Sequence, residues 1–372
     1  MWSGPEDNPT SREKVAAHFL EQAGWNEGLG SPFTASLLRF MHADLGDEGP
    51  IEALCGDWPG NPRKDALGLR VLGALHHAVL TGTAPQLATV FPADNNTWDA
   101  TEVWGVARAW LVENVDAVRV FMETPPQTNE TRRSIALLPG FLKLAAQFEM
   151  PMHLLELGAS AGLNQNWDRF NYQTDSWSRA GDSDVLITAD WQGSPPAHLN
   201  SKIEIGSRSA CDLNPLDIND PAQMRRLKSY TWPDQPDRLS RLDAAIDLAI
   251  GAGTHVDQAD AELWLADKLA KRPCDGLTVV YHSVFLIYPP KDQIQRIMKL
   301  ISDAGQAATE RAPVAWLCYE SEGLFGGDRA TPKMYTRLQI WPGGETKLLT
   351  RSDGHITGIE AFVPAIDANS LG

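Results

Sequence analysis

The sequence predicts an α/β fold in which five parallel strands are followed by a C-terminal antiparallel hairpin, behind an all-α N-terminal domain. Three observations predict it. Before Pro151 no run reads as a strand; apolar residues recur only at helical spacing. After Pro151 short apolar runs alternate with amphipathic helical ones. The stretch Met334 to Thr350 doubles back about Pro342-Gly343-Gly344. A chain of 372 residues is long for one core. The change of pattern sets the boundary: a helical cap over 1–150 and a sheet domain over 151–372.

Taken in order, Thr10 and Glu13 form a capping box ahead of Val15, Phe19 and Leu20. Ser31-Pro32 supplies an N-cap and a first helical residue before Phe33, Leu37, Leu38 and Met41. Leu67, Val71, Leu72, Leu75 and Val79 recur at helical spacing, as do Trp104, Ala107, Trp110, Leu111, Val115 and Val118. Ile135, Leu138, Leu142 and Ala145 repeat the pattern in 129–148. Residues 153–157 then read as a buried parallel strand ending in a glycine turn. A helix is expected next, with Leu163, Trp167 and Phe170 on one face. Residues 173–202, rich in Gly, Ser, Pro and Asp, read as an inserted loop or hairpin. Strand signals return at 202–213, 276–285 and 312–320, with 254–269 a short strand running into a helix, and helical runs that include 238–250 and 291–305 stand between them. A last strand is expected over 355–363.

Composition narrows the function. Hydrophobic residues make up 43% and charged residues 22%, as in ordinary globular proteins. A formal charge of −16 repels a phosphate backbone, so no nucleic-acid partner is expected. Arg132-Arg133 and Arg225-Arg226 are short and read as helix-face charges. Acidity suits a cationic small molecule, and solubility explains it equally well. Cys55, Cys211, Cys274 and Cys318 are scattered without a C-x-x-C pair, which indicates reduced, buried thiols in a cytoplasmic protein. The N-terminus shows neither a basic nor an apolar targeting region, and no apolar run reaches the ~18 residues of a membrane span. Asp212, Asn214, Asp217 and Asp220 lack calcium-loop spacing, and the adjacent His76 and His77 diverge on a helix, so no metal is expected.

The stretch LLELGASAGLN, Leu154 to Asn164, carries the chemistry. Its glycines, Gly158 and Gly162, do not fit the dinucleotide fingerprint G-x-G-x-x-G. They resemble the pattern of S-adenosylmethionine-dependent methyltransferases, an acid two residues before G-x-G-x-G. Here Glu156 precedes Gly158-Ala159-Ser160-Ala161-Gly162, with Ser160 at the middle glycine. Such a cofactor has no phosphate to cradle; it needs small residues for close backbone approach and an acid to match its positive charges. A structural glycine turn fits the loop alone equally well. Asp212, ending the second strand, stands where a ribose-binding acid belongs, and Asp260-Ala261, after the third, where an adenine contact belongs. Asp260 reads equally as a helix N-cap. Gly162 and Asp212 are 50 residues apart, more than one helix needs, so the insertion must account for the excess.

Five stretches, QTNETRRS (127–134), LLELGASAGLN through WDRFNY (154–172), CDLNPLD (211–217), YTWPDQPDR (230–238) and YHSVFLIY (281–288), together resemble a bacterial family defined only as a domain of unknown function, itself similar to Rossmann-like methyltransferases. The likeness runs from about residue 30 to residue 365. It implies the fold and an S-adenosylmethionine pocket that includes Asn164, and no particular reaction. Gln165-Asn166 and Arg132 depart from the pattern.

Methyl transfer needs alignment, dryness and at most one base. His282, ending the fourth strand, is the candidate base; hydrogen bonding to a neighbouring loop is its plainer role. Glu320 is a weaker candidate. Gln127, Asn129 and Glu130 form either a lid over the cofactor or a helix cap. Asp168 and Arg169 either reach the same mouth or form a surface pair. The acceptor is expected to be a small molecule. Two other readings stay open: a non-catalytic cofactor- or partner-binding protein, and a serine hydrolase in which GASAG is the G-x-S-x-G elbow, Ser160 the nucleophile and His355 its base.

Overall fold

The computed structural model describes residues 10–46, 48–92, 97–324, 333–354 and 356–367. Its contacts divide the chain into two compact units, 1–128 with 220–240, and 129–219 with 241–372. Helices α1 (Ser11–Gly28), α2 (Pro32–Asp44), α3 (Pro50–Cys55), α4 (Leu67–Leu80), α5 (Pro85–Val90), α6 (Ala100–Glu113) and α7 (Val115–Glu123) belong to the first unit; α8 (Arg133–Phe148) belongs to the second. The capping box at Thr10 and Glu13 is formed in full, and Ser31 caps α2 with Pro32 behind it. Phe19, Phe33, Leu38, Met41 and Leu75 are buried in one core, as their spacing requires. The later segment 220–240, with α9 (Pro221–Ser229) and the start of α10 (Pro236–Gly251), completes this unit. It is tied in by Asp234, which accepts from Ser31 Oγ at 2.6 Å and the Phe33 amide at 3.1 Å. Arg226 donates to the Phe121 carbonyl at 2.8 Å.

The second unit is an α/β fold with a large central sheet. Its strands are β1 (Met152–Leu157), β2 (Asn171–Gln173), β3 (Ser178–Arg179), β4 (Leu186–Thr188), β5 (Asp190–Gln192), β6 (Ile205–Asp212), β7 (Asp257–Gln258), β8 (Leu277–Ser283), β9 (Val314–Ser321), β10 (Met334–Trp341), β11 (Glu345–Ser352) and β12 (Gly358–Asp367). Nine of them order as β5-β12-β11-β10-β9-β8-β1-β6-β7. The run β7-β6-β1-β8-β9 is parallel throughout. β10, β11 and β12 continue from β9 as an antiparallel meander, so the hairpin expected about Pro342 gains a third strand. Helices α11 (Ala261–Ala270) and α12 (Lys291–Gln306) cross between the parallel strands. The consecutively buried β8 and β9 are the apolar runs that had to lie inside a parallel sheet.

Three local expectations change. Leu163–Arg169 is a 3-10 helix with a kink at Asn166, not an α-helix. Polar side chains there are drawn to the segment before β7: Gln165 donates to the His255 carbonyl at 2.9 Å and Asn166 to Thr254 Oγ1 at 2.9 Å. The 173–202 insertion is no lone hairpin: β3-β2-β4 make a separate small sheet, and β5 joins the far edge of the large one beside β12. And α8, expected among the N-terminal helices, packs on the sheet; a β-carbon at Gly140 would strike Leu317 of β9, and Thr336 of β10 donates to the Ala136 carbonyl at 2.9 Å. Cys55, Cys211 and Cys318 are free and buried, whereas Cys274 is free and exposed. Among the described residues no helix is long and apolar enough to cross a membrane.

Candidate functional site

Open parallel sheets bind ligands at the carboxyl ends of their strands, and there several of the sequence-predicted residues meet. The turn after β1 holds three left-handed residues, Gly158 (φ 68), Ser160 (φ 55) and Gly162 (φ 75). The Gly158 and Ala159 amides both donate to the Cys211 carbonyl, at 2.9 and 3.1 Å. Asp212 holds the turn from β6: its Oδ2 accepts from the Ser160 amide at 2.8 Å and its Oδ1 from the Asn214 amide at 2.9 Å. Glycine is required at both ends for packing as well as for φ. A β-carbon on Gly158 would lie 2.6 Å from the Phe285 ring, and one on Gly162 within 3.0 Å of Gln165, Val256 and Thr254. From Leu154 to Trp167 every residue is buried except Gly158, which is partly open.

The acids fall at successive strand ends in sheet order. Glu156 of β1 is buried, and Tyr281 of β8 donates to its Oε2 at 3.0 Å. Burial pushes the Glu156 carboxyl up to about 8; Tyr281 opposes that shift and the Asp212 charge adds to it. Asp212 ends β6. Asp260 follows β7, where it caps α11 through the Glu262 and Leu263 amides at 3.0 and 3.2 Å, while Gln293 donates to its other oxygen at 2.6 Å. Asp260 is therefore a helix cap first, with Ala261 opening the helix behind it. Four large apolar side chains stand exposed at the same strand ends: Leu213 after β6, Leu263 in the first turn of α11, and Ile287 and Tyr288 after β8.

The segment before α8 meets the turn. Asn129 Oδ1 accepts from the Leu163 amide at 3.0 Å, and Asn164 donates to the Glu130 carbonyl at 3.3 Å. Glu130 in turn pairs with the buried Arg241 at 3.5 Å. Gln127 lies in the first unit. Asp168 pairs with Arg208 of β6 at 2.7 Å and Arg169 with Asp182 at 2.9 Å.

His282 requires a correction. It is fully buried and both ring nitrogens are used. Trp316 Nε1 donates to His282 Nε2 at 2.9 Å, which leaves the proton on Nδ1 for Glu320 Oε1 at 2.7 Å. Glu320 Oε1 also accepts from the Phe285 and Leu286 amides at 2.7 and 3.2 Å. A base must reach its proton, and this ring reaches only its own neighbours. Its work is to hold the loop after β8, whose first residue, Val284, is a β-branched residue at φ 54. That loop carries Phe285 onto Gly158. Glu320, the weaker candidate, belongs to the same clamp. Sequence reasoning misses Tyr281, Phe285 and Trp316; only the identity of their neighbours in space gives them roles, although the cluster YHSVF marks the place.

Several buried polar atoms near the turn have no hydrogen-bond partner, among them Ser160 Oγ, Asn164 Oδ1 and Glu320 Oε2. Ser160 thus has the left-handed backbone of an elbow but no base bonded to it. His355, its expected partner, lies outside the described residues.

Fold and site define an α/β protein with a large, mostly parallel central sheet whose carboxyl edge bears a glycine turn and three acids. The chain belongs to the family described as "Uncharacterized protein conserved in bacteria (DUF2332)", whose model matches residues 16–360. No curated protein matches it.

Proposed function

We propose that the second unit binds S-adenosylmethionine across the ends of β1, β6 and β7 and transfers its methyl group to a small acceptor. One observation carries this reading: Gly158, left-handed and the one partly open residue of its turn, follows Glu156 of β1 by two residues and donates its amide to the Cys211 carbonyl, next to Asp212 on the adjacent β6. The residues fit such a ligand. Phe285 occupies the side of Gly158 where a β-carbon would stand, so only a residue without one leaves the turn partly open. Each Asp212 oxygen accepts one amide and keeps lone-pair capacity for a ribose hydroxyl. Leu213 and Leu263 offer exposed apolar faces to an adenine ring beside Asp260 and Ala261. The cofactor supplies an activated methyl group; the chain supplies position and exclusion of water. Glu156, protonated near neutrality, gives up its proton when a cation approaches, so binding and proton release are coupled. With His282 locked, the acceptor brings its own nucleophile in deprotonated form.

Calorimetric titration with S-adenosylmethionine and S-adenosylhomocysteine tests the reading. Binding is expected, weakened at least about tenfold by Leu213→Glu, a change at an exposed site that leaves folding intact. Absence of heat at millimolar ligand overturns the cofactor assignment. Among the described residues no acid-base pair is bonded at Gly158, which favours a second reading, binding without turnover; build-up of demethylated cofactor only when a small-molecule extract is added decides against it. The lone Ser160 Oγ favours a hydrolase, which labelling of Ser160 by a fluorophosphonate probe would establish and absence of labelling would remove.

A further inference from the structure

The free edge of β6 offers a second site, distant in purpose from the glycine turn. β7 is two residues long and pairs only with Cys211 and Asp212, so β6 from Ile205 to Ala210 has no strand on that side among the described residues. The direction of its backbone can be read off. The Cys211 carbonyl faces β1, where it accepts the Gly158 amide; the Asp212 carbonyl faces the other way and accepts the Ala259 amide at 3.0 Å. Backbone groups alternate along a strand, so Ala210 and Arg208 face that side as Asp212 does; Ala210 is buried against Val256, which leaves the open stretch around Gly206 to Ser209. Beside them runs an open groove of about 640 Å³. Gly206 and Ser207 at its near end are exposed.

We propose that this edge docks an extended acidic peptide, which adds as a strand beside Arg208. A bare strand edge is a template for another chain unless something blunts it. Here no proline stands in Ile205–Ala210, and no strand among the described residues covers it. Charge selects the occupant. Arg169, Arg208 and Lys268 line the groove with His255 beside them, against one lining carboxylate, Asp257, and Arg208 also pairs with Asp168 at 2.7 Å, in a protein of net charge −16. Lys268 and His255 share Asp257 at 3.4 and 3.3 Å, and Arg169 holds the exposed Asp182, pairs that an incoming carboxylate displaces at little cost. A second copy of the chain would set the same cations against one another, Arg208 against Arg208 in a two-fold pairing, and is disfavoured.

The probe is a fluorescein-labelled peptide of alternating glutamate and valine, titrated into the full chain by anisotropy. Saturable binding that weakens with salt is expected. N-methylation of alternate peptide amides keeps the charge and removes strand pairing, and it is expected to cost at least about tenfold in affinity. Arg208→Gln, which keeps the backbone N–H, is expected to cost less than Arg208→Pro, which removes it; proline is tolerated on a free edge. Should Arg208→Pro unfold, the methylated peptide against the unaltered chain decides alone. No binding overturns the proposal. So does equal binding of the N-methylated peptide, which would mean charge without pairing. So does a dimer in sedimentation that Arg208→Pro converts to monomer, which would give the edge to a second copy.

Discussion

Glu156 and Glu320 are two buried glutamates separated by a single strand, one on β1 and the other on β9, with β8 between them. Their surroundings set opposite roles. Glu320 Oε1 gathers three donors, the His282 ring and the Phe285 and Leu286 amides. Each of those donors would be orphaned without it. Glu156 has one donor shown, the Tyr281 hydroxyl, and burial holds its proton on to about 8. The same residue type at the same edge is therefore a clamp in one place and a titrating group in the other. Burial alone does not mark a chemical residue; burial with too few donors does.

The sharpest way to break this contrast is Glu320→Ala. It strips the His282, Phe285 and Leu286 donors of their acceptor, and a loss of about 3–5 kcal/mol of stability is expected in urea unfolding. Glu320→Gln keeps one acceptor oxygen and should lose less. A loss under about 1 kcal/mol for the alanine variant would mean that the clamp does not hold the loop.

Glu156 makes the next largest signal, and it is a signal in pH. The folded chain holds this proton up to about 8, against an ordinary value near 4.5. Between those values the folded state binds more protons than the unfolded one, so stability falls as pH rises. The contribution is complete below the lower value, is lost progressively across the window, and changes no further above about 8. Glu156→Gln should remove that slope and be the more stable form at high pH, by a few kcal/mol. Parallel unfolding curves for the two proteins from pH 5 to 9 would refute the assignment.

Most of the framework is legible in the residues themselves. The Thr10–Glu13 box, the Ser31-Pro32 start, the strands β8 and β9 and the helix α12 are local: their signals are caps, period and apolar runs within one window. What fails is set by distant partners. The 3-10 turn at Leu163–Arg169 depends on Thr254 and His255, nearly ninety residues on. α8 is helical as its spacing predicts, but its place on the sheet depends on Leu317 and Thr336. For the site, the three acids stand at their expected strand ends, because strand order fixes that. Which of their oxygens are already committed is invisible in the sequence: Asp260 to α11 and Gln293, Asp212 to the turn. His282 shows the same limit, since its base role is excluded by Trp316, a residue whose indole nitrogen nothing in the sequence points at His282.

Tyr281→Phe gives the smallest effect and the finest discrimination. The hydroxyl donates to Glu156 at 3.0 Å and holds that carboxyl lower than burial alone would. A hydrogen bond to a carboxylate is worth more than one to a neutral acid. Removing it should therefore cost only about 1 kcal/mol near pH 6, where Glu156 is protonated, and more near pH 9, where it is charged. The pH at which the Glu156-dependent slope ends should also move upward. The difference in cost between the two pH values is the test. If Tyr281→Phe costs the same at both, Glu156 does not change charge across that range, and the coupling between ligand charge and proton release loses its basis. If the cost grows with pH, Glu156 is the group whose charge changes there, as its burial beside a single shown donor requires.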